Sequence, residues 1–91
     1  MKKKNATRAE KHHMSKVAAL GCIACAKLGY EATPAEIHHI RPGRIHTKVI
    51  PLCPLHHRHG KNAIHQSKVL FEQDFGTELE LLELVNGDIA E

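Results

Sequence analysis

Cys22, Cys25, Cys53 and His56 have the types and the spacing of a closed metal site. In Cys22-Ile23-Ala24-Cys25 two thiols stand two residues apart. Cys53-Pro54-Leu55-His56 repeats that gap with an imidazole in the last place. Two such knuckles facing each other supply three sulfurs and one nitrogen, and structural Zn²⁺ takes four N or S donors in a tetrahedron. His57, the next residue, competes for the fourth place. The rival reading of Cys22 and Cys25 is a redox pair or two buried thiols. A redox Cys-x-x-Cys belongs with a βαβ pattern, and no such alternation is visible here.

A second group is made of histidines alone: His38 and His39, then His57, His59 and His65. Imidazole ligands leave coordination positions open for water and a substrate oxygen, which is the chemistry of a catalytic ion. Two spacing problems constrain such a site. In a regular strand His38 and His39 point to opposite faces, so both serve one site only if the strand ends or bends at Arg41-Pro42-Gly43. His57 and His65 would be separated by about 12 Å along an unbroken helix. The chain must therefore break at Gly60-Lys61-Asn62, where His59 and Asn62 are rivals of His65 as ligand. Plain polar surface does not account for histidines clustered around two strands and a helix. Arg41, Arg44 and Lys48 sit beside these histidines and suit phosphate oxygens.

The elements that must position these groups read as follows. Thr7-Arg8-Ala9-Glu10 has capping-box spacing and opens an amphipathic helix over residues 8–20, which Gly21 ends. His12 and His13 lie on its surface. Residues 26–35 form a connection. Short strands over residues 36–40 and 48–52 make a hairpin whose loop carries Arg41, Arg44, His46 and Lys48. Pro54 suits the first turn of a helix, which is interrupted near Gly60 and resumes over residues 63–75. Gly76 stops it. Thr77-Glu78-Leu79-Glu80 is a second capping box. The final helix that follows, ended by Asn86-Gly87, serves as core and scaffold. The class is small α+β.

Ninety-one residues with 3% aromatic content allow one domain with a thin aliphatic core, and chains this short commonly need a staple such as a metal. Three cysteines form an odd set that no closed disulfide framework uses up, which points to a reducing compartment. The net charge is +3 with histidines neutral. Lys2, Lys3, Lys4, Arg8 and Lys11 crowd the N-terminus, as a nucleic-acid binder would have it. Residues 1–6 read as a disordered basic tail and residues 7–91 as the domain. No apolar run reaches membrane-spanning length and no signal-peptide core follows the charged start. The expectation is a cytoplasmic protein, monomeric rather than dimeric, with no membrane partner.

At Glu36-Ile37-His38-His39-Ile40-Arg41-Pro42, then Ile50-Pro51-Leu52-Cys53-Pro54-Leu55-His56-His57 and His65, the sequence resembles the HNH superfamily of nucleases. Within that superfamily it resembles the phage Ref family of recombination-enhancement, RecA-dependent nucleases. The likeness runs from Val17 to Val85 and includes Ala63-Ile64-His65 and Gly76-Thr77-Glu78-Leu79-Glu80-Leu81-Leu82-Glu83. It implies a ββα-metal (His-Me finger) core with a zinc knuckle and flanking helices. It also implies metal-dependent cutting or nicking of DNA, directed by a RecA-type recombinase filament in a phage or prophage setting. Carried over by position, His38, His57 and His65 resemble the ligands of a catalytic Mg²⁺ or other divalent ion, and His39 the general base. The chain departs from the HNH pattern in one respect. The helix-side pair is usually one turn apart, whereas Lys61 fills that slot here and His65 is used instead. A catalytically silent zinc module that binds nucleic acid or protein is the alternative reading.

Overall fold

A computed structural model describes residues 5–40 and 45–89. Met1 to Lys4, and with them most of the basic tail, lie outside the described residues, as do Arg41, Pro42, Gly43, Arg44, Ala90 and Glu91. The architecture is α+β: four α-helices and a two-stranded antiparallel sheet among the described residues.

Helix α1, Arg8–Ala19, begins at a complete capping box. The Thr7 hydroxyl accepts from the Glu10 N–H at 3.1 Å, and the Glu10 carboxylate accepts from the Thr7 N–H at 2.8 Å. Gly21 then turns the chain at φ +82°, and a Cβ there would meet the Ala32 backbone at 2.9 Å. Both the left-handed turn and the close approach call for glycine. His12 is exposed. His13 departs from the surface reading: it is half-buried, and its Nε2 is shielded without a hydrogen-bond partner among the described residues.

The cysteine pair does more than follow α1. It opens a short helix, α2 (Ile23–Lys27), in which the Cys22 sulfur caps the N-terminus by accepting from the Cys25 N–H at 3.3 Å. A strand, β1 (Glu36–His39), then pairs with β2 (Val49–Leu52), with His38 opposite Ile50 and Glu36 opposite Leu52. Strand period 2 puts Glu36 and His38 on one face and Ile37 and His39 on the other.

All four residues of β2 are buried, because α1, α2 and α4 all pack against it. A strand covered on both faces reads as an unbroken apolar run rather than an alternation, which explains Val49-Ile50-Pro51-Leu52. Pro51 costs the ladder nothing. The Ile40 N–H donates to the Lys48 carbonyl at 3.0 Å, which fixes 40/48, 38/50 and 36/52 as the hydrogen-bonded pairs and Ile37/Pro51 as a non-bonded one. The missing N–H of Pro51 therefore falls on the outer edge.

After β2 the chain makes one wide helical turn, Leu55–His59, closed by a bond from the Gly60 N–H to the Leu55 carbonyl at 2.8 Å. This is the i→i+5 pattern of a π turn, a form often found at functional sites. The sequence predicts a helix from residue 63; the structure delays it. Residues 64–66 form a turn, and α3 (Lys68–Phe75) begins only where the Ser67 hydroxyl accepts from the Leu70 N–H. Helix α4 spans Glu78–Ile89 and starts at the predicted Thr77–Glu80 capping box. It does not stop at Asn86-Gly87. Gly87, exposed, continues the helix to Ile89.

Phe71, Ile50, Leu52, Leu81, Val17 and Val85 are the large side chains sealed in the core. No helix among the described residues is long and apolar enough to cross a membrane.

Candidate metal centres

Two clusters form at the junction of the hairpin and the π turn. In the first, Cys22, Cys25, Cys53 and His56 are all buried, and their ligand atoms lie within 4.8 Å of one another. The Cys25 and Cys53 sulfurs are 3.7 Å apart, and His56 Nδ1 lies 3.3, 3.5 and 3.8 Å from the sulfurs of Cys53, Cys25 and Cys22. A tetrahedron with Zn–S bonds of about 2.3 Å has S···S edges of about 3.8 Å. The spacing therefore suits a four-coordinate ion and is far too long for a disulfide.

Burial pushes the Cys22 thiol up to about 12, partly offset by hydrogen bonds from the backbone at Cys53 and Cys25. Burial also holds His56 below its ordinary value, so its imidazole is neutral and ready to ligate. Buried thiols that resist ionisation alone become ligands when a cation compensates the charge. The cluster could bind a structural metal such as zinc. The His56 ring packs edge-on against Phe75, with centroids 5.0 Å apart, which ties the cluster to α3.

The second cluster is His38, His57 and His65, also within 4.8 Å of one another. His57 Nε2 and His65 Nε2 are 3.1 Å apart, and the His38 ring centroid is 5.1 Å from each of the other two. The break at Gly60 produces this meeting. The His65 N–H donates to the His57 carbonyl and the Ile64 N–H to the His56 carbonyl, at 3.1 and 2.9 Å. The loop thus folds back on the π turn and carries His65 beside His57. His59 points outward, exposed, and Asn62 donates to Asp74 at 2.8 Å instead.

Two carboxylates hold this cluster from behind, and neither was among the candidate residues. Glu36 accepts from His57 Nδ1 at 2.8 Å and from the Arg58 guanidinium through both oxygens. Arg58 and then His57 hold the Glu36 carboxyl below its usual range. The strand period could have flagged Glu36, two residues before His38. Glu78, from the first turn of α4, accepts from His38 Nε2 at 2.6 Å. Burial keeps His38 below its ordinary value, against the pull of Glu78. Only the packing of α4 reveals that contact.

His39 lies on the opposite strand face from His38, and the structure does not bring it into the three-histidine cluster. Its Nε2 is 3.1 Å from His46 Nδ1, with ring centroids 5.2 Å apart. A second imidazole thus faces His39 Nε2 across the hairpin. Lys48 is exposed immediately before β2. Arg41 and Arg44, the other two candidate phosphate contacts, lie outside the described residues.

No individually curated protein matches the chain significantly. The family described as recombination enhancement, RecA-dependent nuclease matches residues 6–89, nearly the whole sequence, and the chain belongs to that family.

Proposed function

We propose that this member of the RecA-dependent nuclease family is an HNH-type DNA endonuclease or nickase built on a ββα-metal core. One observation carries the reading: an open cluster of three imidazoles stands beside a separate cluster of three thiols and one imidazole. A purely structural zinc protein has no use for the second. The domain comprises residues 7–91.

In this reading Cys22, Cys25, Cys53 and His56 hold Zn²⁺, and His38, His57 and His65 hold Mg²⁺ or another divalent ion. That ion, when bound, neutralises charge on the scissile phosphate and stabilises the leaving oxygen. The remaining steps belong to the chain. His39 accepts a proton from the water that attacks phosphorus, the role of a general base. His46 faces His39 Nε2 and orients the ring. Glu36 fixes His57 through Nδ1, so that His57 Nε2 faces His65. Lys48, with Arg41 and Arg44 from the same hairpin, holds backbone phosphates and reads no base edge, so cutting has weak sequence preference or none. A RecA-type filament on single-stranded DNA supplies the targeting.

Nicking of supercoiled plasmid with Mg²⁺ or Mn²⁺ tests the reading, with parent and His39→Ala compared in the presence and absence of a RecA-type filament. Metal-dependent nicking that the substitution abolishes supports the nuclease and its base together. Cutting only with the filament supports directed action. Retained zinc and DNA binding with no cutting under any condition would instead leave a silent binding module.

A further inference from the structure

Glu78 is a charged side chain in an unusual place. It opens a helix, where an acidic residue is favoured by the helix dipole without needing burial. Yet it is only 8% exposed, and a buried carboxylate is costly unless paired. Its two oxygens have different partners. One accepts from His38 Nε2 at 2.6 Å, and the other lies 3.3 Å from the ammonium of Lys68, which is itself mostly exposed. The sealed, short contact is the one to His38, itself 5% exposed. An ionised carboxylate can only accept, so the proton of this bond sits on His38 Nε2. Metal-bound histidines commonly donate their second ring N–H to a carboxylate in this way, which fixes both tautomer and ring direction.

We propose that Glu78 is a positioning residue for the three-histidine centre: it locks His38 as the Nε2–H tautomer and so presents Nδ1 to a divalent ion. The inference rests on the reading of His38 as a ligand. It gives α4 a part in the site as well as in the core. Glu36 does for His57 from within the hairpin what Glu78 does for His38 from the far end of the chain.

The test uses the zinc-loaded protein and Mn²⁺ as the probe. Long-range ¹H–¹⁵N NMR reads the His38 tautomer before Mn²⁺ is added, and calorimetry then reads Mn²⁺ affinity. The parent should carry its proton on Nε2. Glu78→Ala should lose that tautomer preference and bind Mn²⁺ roughly 10- to 100-fold more weakly, the usual cost of removing such a carboxylate. Glu78→Gln, whose side-chain carbonyl still accepts, should keep the tautomer and most of the affinity, and it guards against misfolding of the alanine variant. Unchanged Mn²⁺ affinity in Glu78→Ala, or a parent proton on Nδ1, overturns the proposal. Glu78→Gln that keeps the tautomer but weakens as far as Glu78→Ala also overturns it, in favour of direct ligation by Glu78. A parent that binds no Mn²⁺ overturns both this proposal and the metal reading beneath it. A protein that shows these shifts but cuts no DNA keeps Glu78 in its role and loses only the nuclease.

Discussion

His56 and His57 are neighbours in sequence, yet each faces a different cluster. His56 Nδ1 stands 3.3 Å from the Cys53 sulfur, and His57 Nε2 stands 3.1 Å from His65 Nε2. One peptide unit on the π turn thus joins the two clusters.

Loss of the thiol cluster should therefore disable both centres. Structural zinc in small domains contributes roughly 10–16 kcal/mol of apparent binding energy, as large as the whole stability of an ordinary domain, about 5–15 kcal/mol. Cys25→Ala, or treatment with a strong chelator, should unfold the chain and abolish Mn²⁺ binding. Circular dichroism and zinc analysis check this, and a folded, zinc-replete Cys25→Ala would show the ligand set to be wrong.

Damage in the other direction should stay local. His57→Ala should keep one equivalent of zinc and a folded chain while losing Mn²⁺ binding. His39→Ala should keep both ions and lose roughly 10²- to 10⁴-fold in cutting rate, the usual worth of a general base. Metal analysis paired with plasmid nicking separates the two variants. Equal loss of Mn²⁺ in both would place His39 among the ligands.

Two glycines should respond in opposite ways. A Cβ on Gly60 would lie 2.8 Å from the Leu55 carbonyl oxygen, a backbone atom that cannot step aside without opening the π turn. Gly60→Ala should cost about 1–3 kcal/mol and weaken Mn²⁺ binding as well. A Cβ on Gly87 meets nothing within 4 Å, and the residue lies inside α4. Gly87→Ala should stabilise by about 0.5–1 kcal/mol. Thermal melts read both, at roughly 4–8 °C per kcal/mol for a domain of this size.

Acid should loosen the start of α4. The Thr77 backbone N–H and hydroxyl hold the Glu80 carboxyl below its ordinary value of 4.5. A depressed carboxyl gives stability that is present above the unfolded value and is lost as pH falls through the folded one. The parent should accordingly lose stability on acidification below about pH 4.5. Glu80→Gln keeps an acceptor for Thr77 but does not titrate, so its denaturant midpoint should fall less over the same window. Identical acid slopes would mean that the capping box carries no pH dependence.

The cluster of three thiols and one imidazole, both strands and both capping boxes were legible because local spacing carries them. Cys22, Cys25, Cys53 and His56 announce themselves by a repeated two-residue gap, whereas spacing left His65 level with His59 and Asn62 and only the family resemblance singled it out. What the sequence hid depends on longer reach. A π turn leaves no periodic mark in five residues. Ser67 competes with the helix pattern of residues 63–75 and wins by capping Leu70. Asn86-Gly87 looks like a stop, yet glycine only permits a turn and does not impose one, and α4 runs through it to Ile89. Glu78 looks like an ordinary first-turn acid until α4 is laid against the hairpin, forty residues from His38 in sequence.

The outward-facing nitrogen of Pro51 has a consequence for assembly. A two-stranded ribbon ordinarily offers its outer edge as a template on which another chain can add a strand. Here β2 withholds a donor at the middle of that edge and is covered on both faces. Strand addition on β2 is thus disfavoured, both as a route to self-aggregation and as a mode of partner capture. A protein that recruits this chain would have to grip it elsewhere than along the outer edge of β2.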